Sequence, residues 1–234
     1  DDAPLSVLDA MSQTATLPFG LAEDEIVRAY LDGAFGDAML RSHLSAEETG
    51  RILRERYAMA LRARLPGLPT VSFSGSGAEA NEKALALCRA AAPDGATKVL
   101  AFEGAFHGAT LLALALSHEP AHRRAYDPSG EHVVFAPFPV WAEAGADEPA
   151  EPSGLRHACA TGKADVVAAV PDAGDALLAA ELASLAHVCR TLATGEIHAV
   201  VTEPMQSAGG DRHVTGRFLR GLRLVTRAHG VRLI

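Results

Sequence analysis

The sequence predicts an α/β fold, a mostly parallel sheet with helices on both faces. Three observations carry this. Apolar runs of strand character alternate with helical runs, one glycine turn leads straight into a strong helix-forming run, and 48% hydrophobic residues are ample for a buried core.

In chain order, residues 45–65 (SAEETGRILRERYAMALRARL) open with Ser45 followed three residues on by Glu48, a capping box. They carry apolar residues at helical spacing until Pro66. LPTVSF (68–73) is expected to form a short strand, and residues 79–92, rich in Ala, Leu and Glu, a helix ending at Pro93-Asp94-Gly95. KVLAFE (98–103) reads as a buried strand, HGATLLALALSH (107–118) as a helix, and HVVFAPFP (132–139) as a strand ended by its prolines. WAEAGADEPAEPSG (141–154) is a surface connection. IHAVVTE (197–203), GRFLRGLRLVTRAHG (216–230) and VRLI (231–234) continue the alternation as strand, helix and strand. A chain that stops at Ile234 inside a strand leaves an unprotected sheet edge, so the fold is expected to be incomplete at its C-terminus.

A net charge of −8 argues against a nucleic-acid partner. Arg217, Arg220, Arg223 and Arg227 are expected to form the wet face of their helix. Cys88, Cys159 and Cys189 are widely spaced, with no CxxC or His-rich pattern, which predicts free core thiols, no metal and a reducing compartment. No apolar run reaches the roughly 18 residues of a membrane span, and the first residues lack the regions of a signal peptide, so a cytoplasmic protein with no membrane partner is expected.

The glycine turn, GSGAEA (75–80), allows two ligands. It satisfies GxGxxA between an expected strand and a helix, and Glu103 ends the next strand about where a ribose-binding acid belongs in a dinucleotide fold. Exposed N–H groups at a helix N-terminus hold a lone monophosphate equally well.

Four ordered stretches resemble class III pyridoxal-phosphate aminotransferases: SGAEANEKALALCR (76–89), FEGAFHGATLLALALSH (102–118), APFP (136–139) and EPMQSAGGDRHVTGRFLRGLRLVTRAHGVRLI (203–234). GAFHG, APFP and EPMQSAGGD most resemble the 4-aminobutyrate and lysine 6-aminotransferase branch, and LDAMSQ (8–13) fits its early segment. The resemblance implies the large domain of a fold type I PLP-transferase, with residues 1–65 leading into it and 66–234 forming its first part. It implies pyridoxal 5'-phosphate as cofactor, small-molecule amine and keto-acid substrates, and a homodimer. It assigns the cofactor phosphate to Ser76, Gly77 and Ala78, the ring stack to Phe106, an active-site carboxylate to Glu203, and a place in the same loop to Gln206. His107 is expected to be a hydrogen-bonded structural group beside the ring rather than a base.

Two departures bear on substrate. Ala109 stands where the branch usually has an arginine that grips a distal carboxylate, and Ala208 where it has a second glutamate. Both changes imply an amino donor that lacks the distal carboxylate. The resemblance also places the Schiff-base lysine and the aspartate at the pyridine nitrogen after the strand matching VRLI. None of Lys83, Lys98 and Lys163 matches the lysine, so the 234 residues are expected to be part of a longer chain and not to transaminate alone. The alternative is a catalytically inactive module that binds PLP or a nucleotide phosphate.

Overall fold

The computed structural model describes residues 23–34, 48–123, 131–140 and 176–234. Residues 8–13, Ser45, the 141–154 connection, Cys159 and Lys163 lie outside the described residues. Contacts divide the chain into two compact units, Asp1–Phe73 and Ser74–Ile234.

The first unit holds α1 (Asp24–Leu31), where the Ile26 N–H donates to the Glu23 carboxylate at 3.0 Å, and α2 (Glu48–Arg64). The strand expected at 68–73 does not form. Pro69 removes a ladder donor from a run with few apolar residues, and Phe73 instead stacks on Tyr57 with ring centroids 5.9 Å apart. The glycine turn therefore does not follow a strand, which removes the context a dinucleotide fingerprint requires.

In the second unit α3 (Gly77–Ala90) leads to β1 (Lys98–Phe102), the short helices α4 (Leu111–Ala115) and α5 (Pro120–Arg123), and β2 (Val133–Ala136). Then follow α6 (Ala176–Leu192), β3 (Ile197–Val200), β4 (Met205–Gln206), β5 (Arg212–His213), α7 (Gly216–Ala228) and β6 (Arg232–Leu233). The sequence reading had not assigned α6 or the β4–β5 pair. The expected helix over 107–118 shrinks to five residues because the chain before it is held as a loop, with the His118 N–H bonded back to the Ala105 carbonyl at 2.9 Å.

Strands β2, β1, β3 and β6 form one sheet in that order, every neighbouring pair parallel. Successive side chains of a strand point to opposite faces, and the core splits accordingly. Val99, Ala101, Ala199 and Val201 pack with Leu85 of α3 and Ala115 of α4, whereas Leu100, Phe102 and Val200 pack with Leu185 and Val188 of α6 and Phe218 and Leu222 of α7. Helices thus cover both faces, as the sequence predicts. The chain passes from β1 to β2 on one side and later returns to β3 on the other. The reversal of strand order therefore lies between the carboxyl ends of β1 and β3, where open α/β sheets bind ligands.

One expectation for α7 is overturned. Arg220, Arg223 and Arg227 are exposed, but Arg217 is 1% exposed. Its Nε donates to Glu181 Oε2 of α6 at 2.7 Å, and its Nη2 lies 2.5 Å from the same oxygen. The other carboxylate oxygen accepts from the Thr215 hydroxyl at 2.5 Å, and that hydroxyl in turn accepts the Phe218 N–H as the N-cap of α7. A helix-capping bond and an ion pair are therefore one network joining α6 to α7. Where the two helices meet, a Cβ on Gly221 would lie 2.9 Å from Leu185 Cδ1, so glycine permits the approach.

Removing one partner of a buried ion pair strands the other charge away from water. Glu181→Ala is expected to lower the unfolding free energy by about 3–5 kcal/mol, read by urea denaturation against wild type.

Candidate functional site

The loops after β1 and β3 meet the N-terminus of α3 around a cleft of about 420 Å³, lined among others by Gly77, Ala78, Asn81, Phe106, Glu203 and Ile234. The Ser76 Oγ caps α3 by accepting the Glu79 N–H at 3.2 Å, and the Glu79 carboxylate accepts the Gly75 N–H at 2.7 Å. This is a close variant of the capping box. It satisfies the donor of Glu79 and, through the Ser76 carbonyl, that of Ala80 at 3.0 Å. The N–H groups of Gly77 and Ala78 have no partner among the described residues. They are the helix-terminal donors an anion can use, and Ser76 keeps its O–H free to donate.

The loop carrying Phe106 is fixed from several sides. Gly104 takes φ +82 and Gly108 φ +132. A Cβ on Gly108 would sit 2.5 Å from Ala78 Cβ, so a bare backbone is what lets the aromatic loop lie against the N-terminus of α3. Asn81 of α3 donates to the His107 carbonyl at 2.7 Å, and the His107 N–H donates to the Ser117 hydroxyl at 3.2 Å. Glu82 of α3 accepts the Thr110 hydroxyl at 2.5 Å and the Leu112 N–H at 3.1 Å, supplying the cap of α4 that Thr110 itself does not. The Thr110 bond is the main reason the Glu82 carboxyl lies below its ordinary pKa.

Between the buried residues Ala105 and His107, Phe106 is 45% exposed and faces the cleft. An aromatic face left open on so tightly held a loop offers a flat apolar platform. His107 is buried, and its Nε2 has no hydrogen-bond partner among the described residues. The expected hydrogen bonding of this residue thus falls on its backbone rather than on Nε2. Burial pushes the imidazole down from 6.5 to about 4, so it is neutral at pH 7.

Glu203 follows β3, and its Oε2 accepts the Phe106 N–H at 3.2 Å, linking the two loops across the cleft. Burial raises its carboxyl above the ordinary value, while that bond and the Arg212 charge pull it back. Gln206 is fully buried and is not among the residues lining the cleft. Its Nε2 donates to the Glu103 carbonyl at 3.0 Å. The structure therefore gathers Gly77, Ala78, Phe106, His107 and Glu203 around one opening, with Ser76 capping α3 beside it and Gln206 behind it. Arg212 and Asn81 were missed by the sequence reading. Both act on main-chain carbonyls, for which a sequence carries no signal.

The arrangement fits pyridoxal 5'-phosphate: unpaired helix-terminal donors for a phosphate, an open aromatic face for a ring, and a carboxyl across the cleft. Among the described residues no group of three or more His, Cys, Asp or Glu is placed to hold a metal.

Comparison with known proteins points the same way. Residues 4–234 match the family model described as aminotransferase class-III. The chain is 39% identical to the acetylornithine aminotransferase of Mycolicibacterium smegmatis over 97 residues, 42% of this chain and 23% of that protein. It is 36% identical to the taurine–pyruvate aminotransferase of Rhodobacter capsulatus over 96 residues, 39% of this chain and 21% of that protein. A lysine aminotransferase structure from M. tuberculosis superposes with a TM-score of 0.68 at 22% identity, covering 97% of this chain and 49% of that one. The chain thus spans about half the length of that solved structure, and at this identity the likeness is one of fold.

The sign of the His107 shift sets a pH dependence. The unfolded chain takes up the proton near 6.5 and the folded chain only near 4, so folded-state stability falls as pH drops through that window. The loss in full is about 3 kcal/mol, and His107→Gln is expected to abolish it. Glu203 works oppositely: its raised value favours the folded state when protonated, and that contribution is lost as pH rises through the folded pKa. Urea denaturation of wild type and His107→Gln from pH 7 to pH 3.5 measures the difference.

Proposed function

The chain belongs to the class-III aminotransferases, and from that premise we propose that the intact protein moves an amino group from an amine or amino acid to a keto acid using pyridoxal 5'-phosphate bound in this cleft. The observation that carries the proposal is the meeting of the unpaired N–H groups of Gly77 and Ala78, the open face of Phe106 and the Glu203 carboxyl around one opening at the strand-order reversal. When bound, the cofactor supplies an electron sink for the carbon that loses its proton.

The chain's own residues hold and orient. Gly77 and Ala78 donate main-chain N–H groups to the phosphate, aided by the α3 dipole, and Ser76 adds its hydroxyl. Ala78 adds no side-chain hydroxyl, so the backbone carries most of the grip. Phe106 presents its ring to the pyridine face. His107, neutral and buried, holds the loop through its main-chain bonds to Asn81 and Ser117 without adding charge beside the cofactor. With Oε2 of Glu203 engaged by Phe106, Oε1 is the oxygen left to accept a hydrogen bond or hold a proton, which it keeps to higher pH than an ordinary carboxyl.

The donor is proposed to lack a distal carboxylate, with a small keto acid as acceptor. Ala109 and Ala208 are both exposed, and neither can form the charged contacts that select such a carboxylate. The related proteins named above carry different donors in their names, so family membership leaves this choice to the pocket. The intact protein is further read as a homodimer, supported by the family resemblance, and as cytoplasmic, supported by the free thiol of Cys88. No helix among the described residues is long and apolar enough to cross a membrane.

Cofactor binding is read by the change in absorbance when the intact protein takes up pyridoxal 5'-phosphate. Phe106→Ala is expected to raise its Kd about tenfold through loss of the ring stack. In a screen of donors with the intact holoenzyme, kcat/KM for 4-aminobutyrate with 2-oxoglutarate is expected to fall below that for an amine without a distal carboxylate paired with pyruvate. Equal or better turnover of 4-aminobutyrate would sink the donor assignment.

A further inference from the structure

Between the two loops of the cleft lies a cation that the proposed chemistry does not use. Arg212 sits on β5, paired across from Gln206 of β4. Its Nη2 donates to the Glu103 carbonyl at 2.7 Å and to Gln206 Oε1. The same Glu103 carbonyl accepts from Gln206 Nε2 at 3.0 Å, so one main-chain oxygen of the first loop is held by two side chains of the second. The guanidinium carbon stands 5.5 Å from the centroid of the Phe138 ring, which closes one side of the arrangement.

Backbone space is reserved for this contact. A Cβ on Gly104 would lie 1.3 Å from Arg212 Nη2, and one on Gly209 would lie 2.3 Å from the Gly104 carbonyl. Gly104 takes φ +82, so glycine is favoured twice over, for conformation and for room. Two residues further along, the first loop carries Phe106, whose N–H holds Glu203. The guanidinium therefore fastens the base of the loop whose tip contacts the carboxyl.

We infer that Arg212 is the positioning residue of this site: by binding the Glu103 carbonyl and Gln206 it sets the Phe106 loop against Glu203. The inference rests on the cofactor reading of the cleft for its consequence, and on the geometry alone for its existence. The Coulombic pull of Arg212 on Glu203 agrees with it. The other titratable groups on these elements do not duplicate the charge. Asp211 and His213 pair with each other at 3.5 Å on the surface, the Glu103 side chain is exposed, and His107 is neutral at pH 7.

The test compares wild type, Arg212→Gln and Arg212→Lys in the intact protein. Without cofactor, carbon-13 NMR follows the Glu203 carboxyl, assigned by its disappearance in Glu203→Gln. Arg212→Gln is expected to move the Glu203 titration to higher pH, and Arg212→Lys, which keeps the charge, to restore it at least in part. With cofactor, Arg212→Gln is expected to raise the Kd for pyridoxal 5'-phosphate roughly tenfold, the order of one lost charge-assisted hydrogen bond. A folded Arg212→Gln with wild-type Glu203 titration and wild-type cofactor affinity would overturn the inference. If Arg212→Gln fails to fold, Gly104→Ala, which drives a methyl group into the guanidinium and its contact with the Glu103 carbonyl, carries the same readouts and the same criterion. A wild-type protein that takes up no pyridoxal phosphate would defeat the cofactor reading, while the titration arm would still decide the role of Arg212.

Discussion

The parallel pairing of β1 with β3 is the constraint on which the site depends. These strands are the middle pair of the sheet, and the chain leaves β1 in one direction for β2 and comes back on the other side for β3. Their side chains are buried on both faces, so a shift of either strand by one residue would turn Leu100 or Val200 toward α3 and the small Ala101 or Ala199 toward α6 and α7, mismatching both cores. With that register fixed, the chain after Phe102 and the chain after Val200 emerge side by side. The first supplies Phe106 and His107, the second Glu203, and α3 packs close enough to bring its free N–H groups to the same opening.

Polar groups around the opening are satisfied so as to leave particular ones unused. The cap of α3 uses the Glu79 N–H and spares those of Gly77 and Ala78. The bond from Phe106 uses one oxygen of Glu203 and spares the other. Helix-terminal donors left unpaired beside an open aromatic face and a carboxyl raised by burial mark a place where an anion with a ring can bind. The buried Glu181–Arg217 pair is a contrasting case, because its polar atoms face one another between two helices and no ligand is served.

Much of the fold was legible in the sequence, because strands buried on both faces read as continuous apolar runs wherever they occur. KVLAF and IHAV are examples. The run at 68–73 was misread for want of the same property: with Pro69 inside it and no neighbouring strand, apolar character alone does not make a ladder. Helix α6 announced itself only by an Ala- and Leu-rich composition without a clear cap. Missing it concealed the partner that buries Arg217, which on spacing alone belongs with Arg220 and Arg223 on the wet face. Phe106, His107 and Glu203 were found through resemblance, and their contacts were not. The bond from the Phe106 N–H to Glu203 and the grip of Arg212 on the Glu103 carbonyl join residues about a hundred positions apart through main-chain atoms.

The central claim, that the unpaired N–H groups opening α3 hold the cofactor phosphate, is tested most directly by nitrogen-15 amide spectra of the intact protein. The signals of Gly77 and Ala78 are expected to shift downfield on addition of pyridoxal 5'-phosphate and to stay in place with pyridoxal, which lacks the phosphate. Binding of pyridoxal 5'-phosphate that leaves both amides unmoved would contradict the account.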